Sequence, residues 1–433
     1  MAVNGSFASS AWRFGSTPVR IVKGKNEINL FFLCYYPASS YLCKGSMGIK
    51  VGIIGAGAAG CFVAQRLRQL CPHVRVEVFE AQERPLKKVA LTGGGRCNLT
   101  NSFSMVDDLR KVYPRGHQLM KRLMYSWNQW NTMSWFEEQG VRLVTQDDEC
   151  VFPQSQRAME IVGVLCRGLD IRCGKRVELG DLRDYDAVVV TTGGSRDFRW
   201  LAGQGLDIVP PVPSLFPFRL EPSGLENLSG ILVEDSVASI GGTSFRADGI
   251  TLITHKGVSG PCILRLSSYA ARYLAEQNYR ATLVMNWMGK STEDDAREML
   301  EEMVVAGGKK QLSGTHPSFL TSRHWEFLLS RAGMTGEIRW NGVGHRHINR
   351  MASVLTSDTY RILGRVPHKE EFVTAGGVGL GNVDPSTLEC RIRPGLYFAG
   401  EVLDVDGITG GFNLQAAWTM ADAVARAIAD RCK

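Results

Sequence analysis

The stretch GIIGAGAAG (Gly52–Gly60) constrains this chain more than any other. The run IKVGII is β-branched and ends in glycines. AAGCFVAQRLRQL follows, with apolar residues at helical spacing at Ala59, Phe62, Val63, Leu67 and Leu70. VRVEVFE (Val74–Glu80) then alternates like a strand and ends on an acid. Strand, glycine turn, helix and strand in so short a span predict a parallel β-α-β unit. Gly55-x-Gly57-x-x-Gly60 has a mechanical reading within it. Gly55 permits the tight turn, Gly57 lets a pyrophosphate approach the backbone, and Gly60 lets the helix lie close to the strand. Ala58 and Ala59 open the helix, whose N-terminal N–H groups and dipole favour phosphate. At Glu80, followed by Ala81, a carboxylate accepts hydrogen bonds from both ribose hydroxyls and repels a 2′-phosphate. The unit predicts FAD or NAD rather than NADP.

Two further strands run into glycines: VVVTTGG (Val188–Gly194) and LYFAGEVLDVDG (Leu396–Gly407). A nicotinamide dehydrogenase needs only the first unit, whereas a long flavin dinucleotide crosses the carboxyl edge of a sheet and meets several such loops. FAD is therefore the expected cofactor, with contacts at Thr192, Gly193, Gly194, Gly400, Glu401 and Asp406. Gly410-Gly411-Phe412-Asn413 opens a long C-terminal helix. Its N-terminus is placed to face the flavin ring and stabilise negative charge there. AGGVGLG (Ala375–Gly381) has neither the dinucleotide spacing nor a following helix, and predicts a turn.

The chain has 433 residues, room for more than one domain. With 44% hydrophobic and 21% charged residues, it has the composition of a globular protein. The net charge of +7 is spread along the chain without a basic block, which fits an anionic cofactor better than a nucleic acid. The 11 cysteines lack C-x-x-C spacing, which argues against a disulfide framework and against structural zinc. No apolar run is long enough to span a membrane. The expected location is the cytoplasm. Residues 1–46 read as a non-core extension. VPPVPSLFP (Val209–Pro217) is rich in proline and reads as a crossover between domains. The expected architecture is α/β: a glutathione-reductase-like Rossmann FAD domain in two parts (47–208 and 373–433). It is interrupted by a β-rich domain (209–288 and 346–372) and a small helical domain (289–345). His345 and His347 have no third ligand nearby, and no metal site is expected.

GIIGAGAAG, LTGGGRCNLTN, VFPQSQRAMEIV, THKGVSGPCILRLS, VTAGGV and GLYFAGEVLDVDGITGGFNLQAAW together resemble the YhiN/BaiN-like flavoproteins, the NAD(FAD)-utilising dehydrogenase or aminoacetone-oxidase-like family. The resemblance runs from about Met47 to the C-terminus. It implies tightly held FAD and redox chemistry at the flavin: reduction of activated C=C bonds in some relatives, amine oxidation in others. Two departures stand out, the extra N-terminal segment and a short stretch between Arg167 and Asp186.

The resemblance also implies that LTGGGRCNLTN (Leu91–Asn101), preceded by Lys88, passes close to the flavin. Gly94 and Gly95 are then expected to bring backbone N–H groups to cofactor oxygens, Arg96 to neutralise negative charge, and Asn98 both to donate and to accept. Cys97 reads as a packed thiol beside the cofactor. No G-K-[ST] follows, so this is not a Walker loop. His255 in THKGVSGP is the candidate proton donor, with a turn-structuring role equally open. The expected activity is NAD(P)H-dependent reduction of an activated C=C bond in a small organic substrate, with NAD(P)H a transient electron donor. No nucleic-acid or membrane partner is expected, and the oligomeric state is left open. Flavin-dependent amine oxidation and a non-catalytic flavin sensor are the alternatives.

Overall fold

The computed structural model describes residues 49–195, 197–366 and 373–432, so the extension read at 1–46 lies outside them. β1 (Lys50–Ile54) and β2 (Arg75–Phe79) pair in parallel, joined by the helix Ala58–Leu70. β3 (Thr100–Asn101), β4 (Leu143–Thr145) and β5 (Cys150–Pro153) form a small antiparallel sheet. β6 (Ile171–Arg172) lies at the edge beside β2, and β7 (Ala187–Val190) flanks β1 on the other side. β8 (Ile208–Ser214) leaves this domain. β9 (Phe218–Leu220), β10 (Leu232–Ile240), β11 (Arg246–Thr254), β12 (Gly257–Ser259), β13 (Ala281–Asn286) and β14 (Asp358–Arg365) close into a barrel. β15 (Val373–Val378) returns antiparallel to β8, and β16 (Leu396–Phe398) completes a parallel sheet of order β16-β7-β1-β2-β6.

The parallel sheet is hydrophobic through its thickness, as a sheet covered by helices requires. Phe62 of the first helix sits among Trp127, Trp135, Phe136 and Trp418, with ring centroids 4.7 to 6.3 Å away. Emptying that site with Phe62→Ala costs about 3–5 kcal/mol. The last helix (Phe412–Arg431) brings Trp418 there. It also brings the buried Asp422, which takes Arg66 of the first helix at 2.8 Å. Below the sheet, Glu77 accepts from the Tyr185 hydroxyl at 2.7 Å and pairs with Arg172 at 2.9 Å and Arg75 at 3.0 Å. Burial pushes its carboxyl up, but Tyr185, Arg172, Lys50 and Arg75 together hold it below its ordinary value.

Both chain crossings between domains are strands. The proline-rich crossover becomes β8, on a two-stranded ribbon where missing N–H groups are tolerated. EFVTAGGV reads as a strand, and its Val373–Val378 forms β15, with a bulge between Ala375 and Gly377; of AGGVGLG, expected to turn, only the end does so, at Leu380–Asn382. Its glycines serve close approach: a Cβ on Gly376 would lie 2.5 Å from the Pro210 carbonyl oxygen, and one on Gly377 would lie 2.4 Å from that of Val402.

The helix Pro261–Tyr269 follows β12 and lies along β11, with Cys262 Sγ 3.4 Å from the Ala247 carbonyl oxygen. Between β13 and β14 stand three helices, Glu293–Gly307, Ser322–Arg331 and His345–Ser357. The first has a capping box between Thr292 and Asp295 and stops at Gly308, φ +54°. The third runs to Ser357, so the helical portion extends past the boundary read at residue 345.

Candidate functional site

Four loops leave the carboxyl ends of β1, β7, β16 and β2. They gather where the chain reverses its direction of travel across the sheet, between β1 and β7, which is where ligands bind in open parallel sheets. The glycines of the first loop divide the work as their spacing predicts. Gly55 is left-handed, φ +104°, and a Cβ there would lie 2.5 Å from the Thr191 carbonyl oxygen. A Cβ on Gly60 would lie 2.0 Å from the Gly55 carbonyl oxygen, so helix and loop touch. Gly57 differs: a Cβ there meets nothing within 4 Å. Gly57 is also the N-cap of the first helix, with no side chain capping the free N–H groups of Ala58 and Ala59. Uncapped donors beside open space suit a phosphate.

Glu80 holds this loop in shape. One carboxylate oxygen accepts from the Ala56 N–H at 2.9 Å and the other from the Gln82 N–H at 2.8 Å. Each oxygen keeps a lone pair for a further donor. Ala81 is exposed beside it. Thr191, which sequence reasoning passed over for the exposed Thr192, is buried and donates to the Gly55 carbonyl at 2.8 Å. Its hydroxyl ties the β7 loop to the β1 loop.

The second junction centres on Glu401. It pairs with Lys88 at 3.0 Å and accepts from the Thr374 N–H at 2.7 Å. Gly193 and Gly194 pass over it, and a Cβ on Gly194 would lie 2.6 Å from its carboxylate. A Cβ on Gly400 would lie 2.9 Å from the Ala59 side chain. Thr374, two residues into β15, had no sequence signal.

The glycine block ends the element Lys87–Gly95 that carries Lys88. Thr92 breaks from the helix, and Gly93, Gly94 and Gly95 follow with φ +59°, +69° and +85°. A Cβ on Gly94 meets nothing within 4 Å, and one on Gly95 meets only the Ala90 carbonyl at 4.0 Å. Consecutive left-handed residues turn N–H groups to one side, a concavity that takes anionic oxygens. Arg96 donates to the Gly93 carbonyl at 3.1 Å and stacks over Phe152 at 4.4 Å, so its place is set by the loop and the ring. Cys97 is wholly buried, and burial pushes its thiol up to about 12; its side chain is packing, and only its backbone can reach a cofactor. Asn98 donates to the Thr100 carbonyl at 2.9 Å and accepts from the Gly411 N–H at 3.2 Å, joining this block to the last helix.

Gly410 and Gly411 are both left-handed, and no side chain caps the helix that Phe412 begins. Asn413 folds back, accepting from the Gly407 N–H and donating to its carbonyl, both at 2.8 Å. Asn101 donates to the Gly410 carbonyl at 3.1 Å, and the Tyr113 hydroxyl to that of Phe412 at 3.0 Å. These bonds fix the glycine turn and leave the N-terminal N–H groups of the helix free for a negative partner.

Two predicted residues lie elsewhere. Asp406 is wholly buried and pairs through both oxygens with Arg115, with Ser214 donating to it at 3.2 Å. Its carboxylate is taken up between the domains, because Arg115 also donates to the Ser268 carbonyl at 3.0 Å. An acid beside a glycine loop reads as a ligand in sequence; here it neutralises a buried arginine. His255 is exposed on the turn from β11 to β12, at the barrel end where Leu220 N–H meets the Lys256 carbonyl. β8 and β15 join the barrel at its other end, beside Phe218 and Arg365, and no side-chain hydrogen bond ties His255 to the cradle among the described residues. No group of three or more His, Cys, Asp or Glu among the described residues could hold a metal, and no described helix is long and apolar enough to cross a membrane.

Comparison with known proteins agrees with this geometry. Residues 49–181 match the Rossmann domain of HI0933-like proteins, and residues 212–373 match their barrel and H2TH domain. The chain is 28% identical over 404 residues to a ribosomal RNA dihydrouridine synthase of Escherichia coli, covering 86% of this chain and 96% of the relative. It is 25% identical over 418 residues to a 3-dehydro-bile acid delta(4,6)-reductase of Clostridium scindens, covering 88% and 99%. A 3-ketosteroid delta1-dehydrogenase structure from Sterolibacterium denitrificans aligns over 88% of this chain and 99% of that one, at 13% identity and a TM-score of 0.44. With both domain models matched in order around one glycine-lined cradle, the chain belongs to the HI0933-like family of YhiN/BaiN-like flavoproteins.

Proposed function

We propose that the chain is an FAD-dependent reductase of a ring C=C bond conjugated to a carbonyl. The observation that carries the cofactor reading is the contrast among the glycines. Gly55 and Gly60 face protein at less than contact distance, while a Cβ on Gly57 or on Gly94 would meet nothing within 4 Å. Space kept clear beside the uncapped N–H groups of the first helix fits a pyrophosphate.

The first helix N-terminus and the Gly93–Gly95 concavity would hold the pyrophosphate, and Glu80 the ribose. The Lys88–Glu401 pair would border the chain between ribose and ring. The free N-terminus of the last helix would stabilise negative charge on the ring. A bound FAD supplies hydride transfer through its ring. In the protein around it, the Cys97 thiol is held protonated by burial. Its Rossmann domain has a single G-x-G-x-x-G loop between strand and helix, so NAD(P)H would dock transiently at the ring rather than in a site of its own.

The C=C reading rests on what two relatives share by name. Dihydrouridine is uridine with its ring C=C saturated, and a 3-dehydro-delta(4,6) bile acid carries C=C bonds conjugated to a ring carbonyl. One surface observation favours the uracil ring of an RNA as the acceptor, against the small molecule expected from sequence. In the helical portion the acids cluster on Glu293–Gly307, while Lys309, Lys310, Arg339, Arg346 and Arg350 stand exposed in the segment that follows. Exposed cations, which outnumber Glu326 and Glu337 in that segment, suit phosphates and make binding salt-dependent. The test is retention of a flavin spectrum after desalting with FAD. The reduced protein is then mixed anaerobically with a uridine-containing ribosomal RNA fragment or with 2-cyclohexen-1-one. Recovery of the oxidised spectrum with saturated product supports the reading. Oxidation of a small amine with peroxide release would move it to the oxidase.

A further inference from the structure

We propose that Arg265 is the cation that binds the acceptor, its guanidinium receiving the carbonyl oxygen conjugated to the C=C bond. This rests on the reductase reading above and adds a residue on the barrel side of the site. Arg265 belongs to the helix Pro261–Tyr269, one turn before Ser268 and Tyr269. Those two residues touch the Rossmann domain: Ser268 accepts from Arg115, and the Tyr269 hydroxyl donates to the Lys111 carbonyl at 2.8 Å. Residues three and four apart share a helix face, so Arg265 projects from the side of the helix that meets the Rossmann domain. Its charge is felt at Cys150, the thiol hydrogen-bonded to Asn98, which in turn fixes the Gly411 N–H.

Its partners are too few for a structural arginine. Nη1 lies 3.4 Å from the Asp248 carbonyl oxygen, and Asp248 gives its carboxylate to Lys290 at 3.1 Å. Nε is buried with no hydrogen-bond partner among the described residues. A guanidinium carries five donors, and leaving a charged donor unsatisfied in a buried setting costs free energy unless a ligand supplies the acceptor. Arg115, which meets the same helix from the Rossmann side at Ser268, is the contrast: it is saturated by Asp406 and Ser268. A fixed cation beside the acceptor's carbonyl oxygen draws electron density from the conjugated C=C and sets its orientation. No bond is made or broken at Arg265, and it is not required to release a proton.

The test is calorimetric titration of the FAD-loaded protein with benzoate, a small anionic oxygen ligand, for wild type, Arg265→Gln and Arg265→Lys. Loss of one charge-assisted contact predicts binding weakened about 10- to 100-fold in the Gln variant. The Lys variant, which keeps the charge, is expected to recover most of it, and FAD content and photoreduction should be unchanged in both. If the Gln variant does not fold, Arg265→Met, which keeps the apolar stem, takes its place. Equal benzoate affinity in wild type and the uncharged variant overturns the proposal, and so does a wild type that binds no benzoate. Failure of the reductase reading is seen separately, as reduced wild type that no C=C acceptor reoxidises while benzoate still binds through Arg265.

Discussion

The carboxyl edge of the parallel sheet and the closed barrel use their polar groups in opposite ways. At the sheet edge, glycines and helix N-termini leave donors open, and carboxylates such as Glu80 and Glu401 hold loops apart while keeping lone pairs free. In the barrel and its helices, buried polar groups mostly turn inward. Ser236 meets Thr251 at 2.7 Å, Trp287 donates to Asp358 at 3.2 Å, and Arg331 pairs with Asp358. A cofactor is read from the first pattern and a scaffold from the second. Arg265 breaks that pattern, as do Ser223, His324 and Trp340, whose buried polar atoms also lack a hydrogen-bond partner among the described residues.

The comparison is broken most forcefully at the glycines. Gly60→Ala forces a Cβ against the Gly55 carbonyl and is expected to cost more than about 4 kcal/mol, giving insoluble or FAD-free protein. Gly57→Val, into open space, should leave thermal stability without FAD nearly unchanged, yet lower FAD affinity by about tenfold or more. Equal losses in both variants, measured by differential scanning fluorimetry with and without FAD, would remove the distinction between packing and cradle glycines. Next in size is Asp406→Asn. It leaves Arg115 without its counter-charge and is expected to destabilise by about 3–5 kcal/mol. Urea unfolding followed by circular dichroism checks this, and a loss of FAD with no loss of stability would restore Asp406 as a ligand.

The barrel side carries a pH signature. His324 is wholly buried against Trp287, and burial pushes its imidazole down from 6.5 to about 4. Because the folded value is lowered, the unfolded chain takes up the proton first. Stability is complete above 6.5 and falls as pH drops toward 4, by about 3 kcal/mol in all. His324→Leu should flatten that slope between pH 6.5 and 4, and an unchanged slope would place the acid sensitivity elsewhere. Glu77 acts lower: its depressed carboxyl gives stability that is present above its ordinary value of 4.5 and lost as pH falls through the folded value beneath it. The smallest effect concerns thiols. Iodoacetamide at pH 8 should label the exposed Cys173 and spare Cys97 in native protein, read by peptide mass spectrometry.

What the sequence made legible was local. Gly55, Gly57, Gly60 and Glu80 declare themselves because strand, turn and helix are contiguous, and the left-handed run at Gly93–Gly95 is written as three glycines. What it hid was non-local. Asp406 looked like a ligand because its partner Arg115 lies 291 residues away in the chain. Thr374 reaches Glu401 only once β15 has returned from the barrel, and Arg265 acquires its position only when the Pro261–Tyr269 helix docks. His255, for which the sequence leaves a catalytic and a turn-structuring role equally open, shares a motif with Arg265 but sits on the β11–β12 turn, away from where β8 and β15 join the barrel. The glycines of AGGVGLG show the same dependence on distant partners, since Gly376 and Gly377 answer to the backbone carbonyls of Pro210 and Val402.

The central claim is that a flavin held in this cradle passes electrons to a conjugated C=C. Anaerobic stopped-flow absorbance of the FAD-loaded, reduced protein tests it most directly. Mixing with the uridine-containing RNA fragment or 2-cyclohexen-1-one is predicted to restore the oxidised flavin bands well ahead of a buffer blank. A protein that binds no FAD, or one whose reduced flavin is reoxidised by oxygen alone, would contradict it.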